Sequence, residues 1–150
     1  MTSISDMKFN GAETQVPLVF TVTGTPVQQG SKTAFVVGKR AVVTDQNSKA
    51  LKPWRRLVAE TAEVAALVYE QFTGPLAVTL DFHMPRGATV KRERPSVTPD
   101  IDKLVRALLD GLTDAEVWKD DAQVVELTAR EFYADGREPG VDVTVRAVSA

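Results

Sequence analysis

The chain has 150 residues, a formal net charge of -2, no cysteine and a single histidine. That length suits one domain spanning 1–150, and the missing cysteines exclude disulfides, a thiolate nucleophile and a thiolate zinc site. One histidine excludes a multi-histidine metal site, no apolar run is long enough to span a bilayer, the polar start from Met1 to Gln15 lacks a secretory pattern, and the absence of cysteine agrees with a reducing cytoplasm.

Met1 to Gln15 reads as a loose tail. Pro17 to Thr23 is rich in β-branched residues and predicts a strand, closed by turn chemistry at Gly24, Thr25 and Pro26. Two short apolar runs, Ala34 to Val37 and Ala41 to Thr44, flank Gly38, Lys39 and Arg40 and predict a hairpin. A helix should start between Ser48 and Pro53. It carries Trp54, Leu57, Val58, Thr61, Ala65 and Val68 on a buried face and breaks at Thr73, Gly74 and Pro75. From Gln28 to Arg56 there are seven bases (Lys32, Lys39, Arg40, Lys49, Lys52, Arg55, Arg56) against Asp45. A chain of negative net charge can therefore still present a basic face to phosphates, although a merely solvated surface has the same composition.

Leu76, Val78, Leu80 and Phe82 alternate with Ala77, Thr79, Asp81 and His83, a strand pattern. Pro85 to Pro99 is a long loop carrying Arg86, Lys91, Arg92 and Arg94; loops of that length in compact domains usually serve function. The next helix should take Thr98 as its N-cap and Pro99 as its first residue, with Ile101, Leu104, Val105, Leu108, Leu109 and Leu112 along one face and a stop at Gly111 or at Thr113–Asp114. Ala122 to Phe132 predicts a strand with Val125, Leu127 and Ala129 on one side. Ala134 to Gly140 is a turn cluster, and Val141 to Val148 is the last strand, expected to pair with the previous one as an antiparallel hairpin. The element order gives an α/β (α+β) class: a mixed sheet with two main helices packed on one face.

The residues with chemical potential are acids. Asp100 and Asp102 stand where the basic loop enters the helix, a place that favours negative charge whether or not it has a function. Residues two apart in a helix diverge, so the pair converges only if Asp100 lies at a non-helical start. Arg106 follows Asp102 by one turn on the same face. Asp121 precedes a strand. Three carboxylates brought together at one end of a sheet suit a hard divalent cation, which can polarise a phosphodiester and generate hydroxide. His83, Trp54 and Trp118 read as structural; Lys91, Arg92 and Arg94 are the better phosphate contacts.

The stretch His83-Met84-Pro85, then Pro99-Asp100-Ile101-Asp102-Lys103-Leu104, Ala107-Leu108-Leu109-Asp110-Gly111-Leu112 and Trp118-Lys119-Asp120-Asp121-Ala122-Gln123-Val124-Val125 resembles the RusA family of crossover junction endodeoxyribonucleases. The likeness covers roughly residues 76 to 130; the N-terminal third matches only in element order. The resemblance implies a RusA-like fold and paired nicking of four-way (Holliday) DNA junctions by a homodimer. It also implies dependence on Mg²⁺ or Mn²⁺, no small-molecule cofactor and no membrane partner, in a phage- or prophage-encoded protein of a bacterial cytoplasm. The metal-binding aspartates of the family fall on Asp100, Asp102 and Asp121. Its helix lysine falls on Arg106, which keeps the charge and the reach to phosphate but cannot give up a proton. Lys103 adds positive charge beside the site. Arg86, Lys91, Arg92, Arg94 and Lys103 are the expected DNA contacts. Two other functions fit the same residues: a nuclease acting on other branched DNA, and a non-catalytic DNA-binding or assembly protein that keeps the fold.

Overall fold

The structure is a computed structural model that describes residues 16–30, 32–45 and 48–149. The expected N-terminal tail lies outside these residues. Six strands and two helices follow in order: β1 (Leu18–Thr23), β2 (Lys32–Val37), β3 (Arg40–Asp45), α1 (Ser48–Ala65), β4 (Leu76–Met84), α2 (Ile101–Asp114), β5 (Val124–Tyr133) and β6 (Gly140–Ala147). A 3₁₀ turn at Asp121–Gln123 leads into β5.

The main sheet is mixed, in the order β1-β6-β4-β5, and β2 and β3 form a separate antiparallel hairpin as expected. β4 supplies the centre because its alternation buries Leu76, Val78, Leu80, Phe82 and Met84 on one face. Val141, Val143 and Val145 of β6 and Leu18 and Val22 of β1 extend the same face. Both helices close over it. α1 contributes Leu51, Trp54, Val58 and Ala62, and α2 contributes Leu104, Val105, Ala107, Leu108 and Leu112. The other face is polar: a threonine row runs across Thr144, Thr79 and Thr128, beside the ion pairs Arg130–Asp81 and Arg137–Asp142.

Three local expectations change. The last two strands do not form a hairpin. β5 pairs with β4 in parallel and β6 pairs with β4 antiparallel, so β4 separates them. The turn cluster after Tyr133 crosses over the end of β4, where the Ala134 amide donates to the Met84 carbonyl at 2.7 Å. The N-cap of α2 is Asp100, in extended backbone (φ -77, ψ 136), rather than Thr98. Pro99 therefore precedes the helix. Gly111 does not stop α2 but lies inside it, where a Cβ would sit 2.6 Å from Val58 Cγ1. Glycine is needed there because α1 and α2 touch backbone to side chain, and the helix runs on to Asp114.

Candidate functional site

α2 starts at the carboxyl end of β4 and returns to the amino end of β5, the crossover that parallel neighbours require. This connection decides where the three aspartates lie. Asp100 caps α2 outside its regular turns, as convergence with Asp102 needs; its amide donates to Gln28 Oε1 at 2.8 Å. Asp102 follows in the first turn, exposed. Asp121 lies at the other end of the helix, in the 3₁₀ turn before β5. That turn is fixed by a capping box: Asp120 accepts from the Ala122 amide at 2.8 Å, and the Gln123 side chain accepts from the amides of Lys119 and Asp120. Gln123 also donates to the carbonyls of Phe72 and Gly74, just before β4.

The electrostatic neighbours agree with this placement. Asp121 faces Asp110, near the end of α2: burial pushes the Asp110 carboxyl above its ordinary range, Arg55 draws it back, and Asp121 and Asp114 push it up further. Asp100 faces Glu131, near the end of β5, whose carboxyl is raised to about 6 by burial and by Asp100. With 14 residues in α2 and about 1.5 Å per residue, the two ends are roughly 20 Å apart. The expectation that the three carboxylates converge within one chain is therefore not met. Among the described residues no group of three acidic or histidine side chains is placed to hold a metal.

Glu131 is a site residue that the sequence reading missed. Its Oε2 is sealed from solvent without a hydrogen-bond partner. With Asp100 and Ile101 it lines a groove of about 350 Å³ whose floor is the end of the basic loop. The alternation of β5 gives it the parity of Leu127 and Ala129, toward the helices, and that parity was the available signal.

The cations divide into engaged and exposed. Arg86 is pinned inside the loop. It donates to both Asp135 oxygens at 2.8 and 2.9 Å and to the carbonyls of Val90 and Arg92, and it lies over the Tyr133 ring. Arg92 donates to the Tyr133 hydroxyl; Arg94 donates to the Glu131 carbonyl and covers the Phe132 ring. Lys103 Nζ is 3.6 Å from Asp100 Oδ2. Arg55 is taken by Asp114 and Asp110. Lys91 and Arg106 are exposed and, among the described residues, form no ion pair. On α1, Lys49, Lys52 and Arg56 make an exposed stripe at helical spacing. His83 and the tryptophans are structural, as read: His83 Nε2 is 3.1 Å from Asp142 and stacks on Phe132, and both indoles are buried.

Comparison with known proteins matches residues 23–146 to the family described as Endodeoxyribonuclease RusA. Among curated proteins, the chain is similar to an uncharacterized protein, YqaN, of Bacillus subtilis (strain 168). The two are 33% identical over 144 residues, covering 87% of this chain and 96% of the relative. No helix among the described residues is long and apolar enough to cross a membrane.

Proposed function

The chain belongs to the RusA family of endodeoxyribonucleases, and on that premise we propose that it is a Mg²⁺- or Mn²⁺-dependent nuclease that resolves four-way DNA junctions by paired nicks as a homodimer. The observation that carries the reading is the pair at the start of α2, Asp100 at its non-helical cap and Asp102 in its first turn, flanked by the basic loop, with Asp121 about a helix length away. Carboxylate oxygens suit hard cations, and the third aspartate that the family resemblance assigns to the centre lies too far along α2 to join these two within one chain. The missing ligand is Asp121 of a second copy. A two-fold dimer then holds two equivalent centres, one for each of the two cuts a junction needs.

A divalent ion held there would polarise the scissile phosphate and supply hydroxide at neutral pH. The chain's own residues do the rest. Arg106, one turn along α2 from Asp102, offers a fixed positive charge to the phosphate oxygens; as a guanidinium it neither gives nor takes a proton. Lys91 and the α1 stripe of Lys49, Lys52 and Arg56 contact the DNA backbone and set binding strength. Lys103, close to Asp100, offsets negative charge at the carboxylates before the cation arrives. A bacterial, phage- or prophage-encoded setting fits such an activity.

The test is a synthetic mobile four-way junction incubated with and without Mg²⁺ or Mn²⁺, alongside flaps, forks and linear duplex. Metal-dependent paired nicks in the junction are the expected result. Asp102→Asn should abolish them while junction binding persists, because an amide is a poor ligand for a hard cation. Asp120→Asn, which keeps a capping side chain, should cut near normally. Preferred cutting of flaps or forks would replace the junction assignment. Tight binding with no cutting under either metal would make the protein a binding module.

A further inference from the structure

We infer that the second copy docks edge to edge on β5, antiparallel, with the two-fold axis at Leu127. The inference rests on the proposed two-chain site and names the surface that builds it. β5 is ten residues long and ends the sheet, with no strand beyond it among the described residues. An edge of that length offers a row of unpaired backbone groups to another chain. The same stretch exposes apolar side chains: Val125 is 61% exposed and Leu127 48%.

Backbone direction fixes which residues can pair. Alternate residues of a strand point their N–H and C=O groups to the same side. The Ala134 amide bonds inward to β4, so the even positions face β4. The Glu131 carbonyl is taken from outside by Arg94, so the odd positions face outward. Arg94 blocks the far end, and the register between β4 and β5 shifts at Val125, leaving Leu127 and Ala129 as the open ladder. A two-fold axis perpendicular to the strand makes the pairing antiparallel. Leu127 then faces Leu127 of the partner subunit.

This arrangement solves the site geometry without further assumptions. Antiparallel pairing carries the start of one β5 to the end of the other, so the turn holding Asp121 in one copy arrives beside Glu131 and Asp100 in the other. Docking through β1, the opposite edge, would leave Asp121 three strands from any contact, roughly 14 Å at about 4.8 Å per strand. Leu127 from each copy closes the seam beside α2.

The chain has no native cysteine, so single cysteines report cleanly. In the full-length protein, Leu127→Cys should cross-link to a covalent dimer under mild oxidation or with a short bis-maleimide, since Cα atoms of a hydrogen-bonded antiparallel pair lie about 5.5 Å apart, within disulfide range. Val19→Cys, exposed on the β1 edge, should not. Leu127→Lys, which sets like charges face to face, should turn a dimer into a folded monomer by light scattering and circular dichroism. A wild-type dimer that cuts junctions with metal, yet shows no cross-link at position 127 and stays dimeric as Leu127→Lys, would overturn the β5 interface and leave the proposed function standing. A monomer that cuts would overturn both.

Discussion

Arg86 and Lys91 stand five positions apart in one basic loop and look alike as DNA contacts, but the structure separates them. Arg86 spends its guanidinium on Asp135, two carbonyls and the Tyr133 ring, whereas Lys91 is exposed. Each phosphate contact contributes about 0.9 to the slope of log affinity against log salt. Four free loop cations would weaken binding roughly 150-fold between about 50 and 200 mM salt, and a single one only about 3- to 4-fold. Lys91→Ala should therefore lower the slope by about 0.9 and leave thermal unfolding unchanged. Arg86→Ala should leave the slope nearly unchanged and lower the melting temperature, because two backbone carbonyls lose their donor and Asp135 loses its partner. The assay is fluorescence anisotropy of a labelled junction across a KCl series without metal, paired with a thermal melt. The reasoning fails if Arg86→Ala cuts the slope as Lys91→Ala does and melts like the wild type.

Three further outcomes are expected. Gly111→Ala should destabilise the protein by about 1–2 kcal/mol, since a clash with Val58 of the overpacking kind outweighs the helix-propensity gain of roughly 1 kcal/mol; a denaturant series in which adding Val58→Ala recovers none of the loss would contradict the crossing. Glu131→Gln should be more stable than wild type near neutral pH in chelator, with the gap closing in acid. The folded carboxyl titrates at about 6 against an ordinary 4.5, so the folded state holds a proton that the unfolded chain releases, and the wild type loses stability as pH rises through that window; urea midpoints independent of pH would refute this. Arg106→Ala should keep stability within about 1 kcal/mol, the usual range for an exposed position, while slowing single-turnover cleavage far more than binding; a large stability loss with normal cutting would make Arg106 structural.

What the sequence disclosed was local. Alternation placed the core face of β4, and apolar spacing found α2, although the start expected at Thr98 and Pro99 came two residues too early and the structure puts Asp100 at the cap. The Gly38–Arg40 turn signalled a hairpin because its strands are neighbours in the chain. What it hid depends on partners distant in sequence. The turn after Tyr133 looks like a hairpin turn, yet β4 lies between the strands it joins. Arg86 reads as a free cation because Asp135 is 49 residues away. Glu131 reads as an ordinary polar strand residue until the fold brings Asp100 over it. The convergence of three aspartates at one sheet end ignored the length of the helix that separates Asp102 from Asp121.

The two-chain site is tested most directly by mixing two inactive variants. Asp100→Asn and Asp121→Asn should each fail to nick a junction with Mg²⁺ when alone. Denatured and refolded together they form heterodimers in which one centre keeps Asp100 and Asp102 from one copy and Asp121 from the other. Restored nicking of one strand per junction is the predicted result. A mixture in which heterodimers form but remain as inactive as either parent would contradict it and remove Asp121 from the centre that Asp100 and Asp102 build.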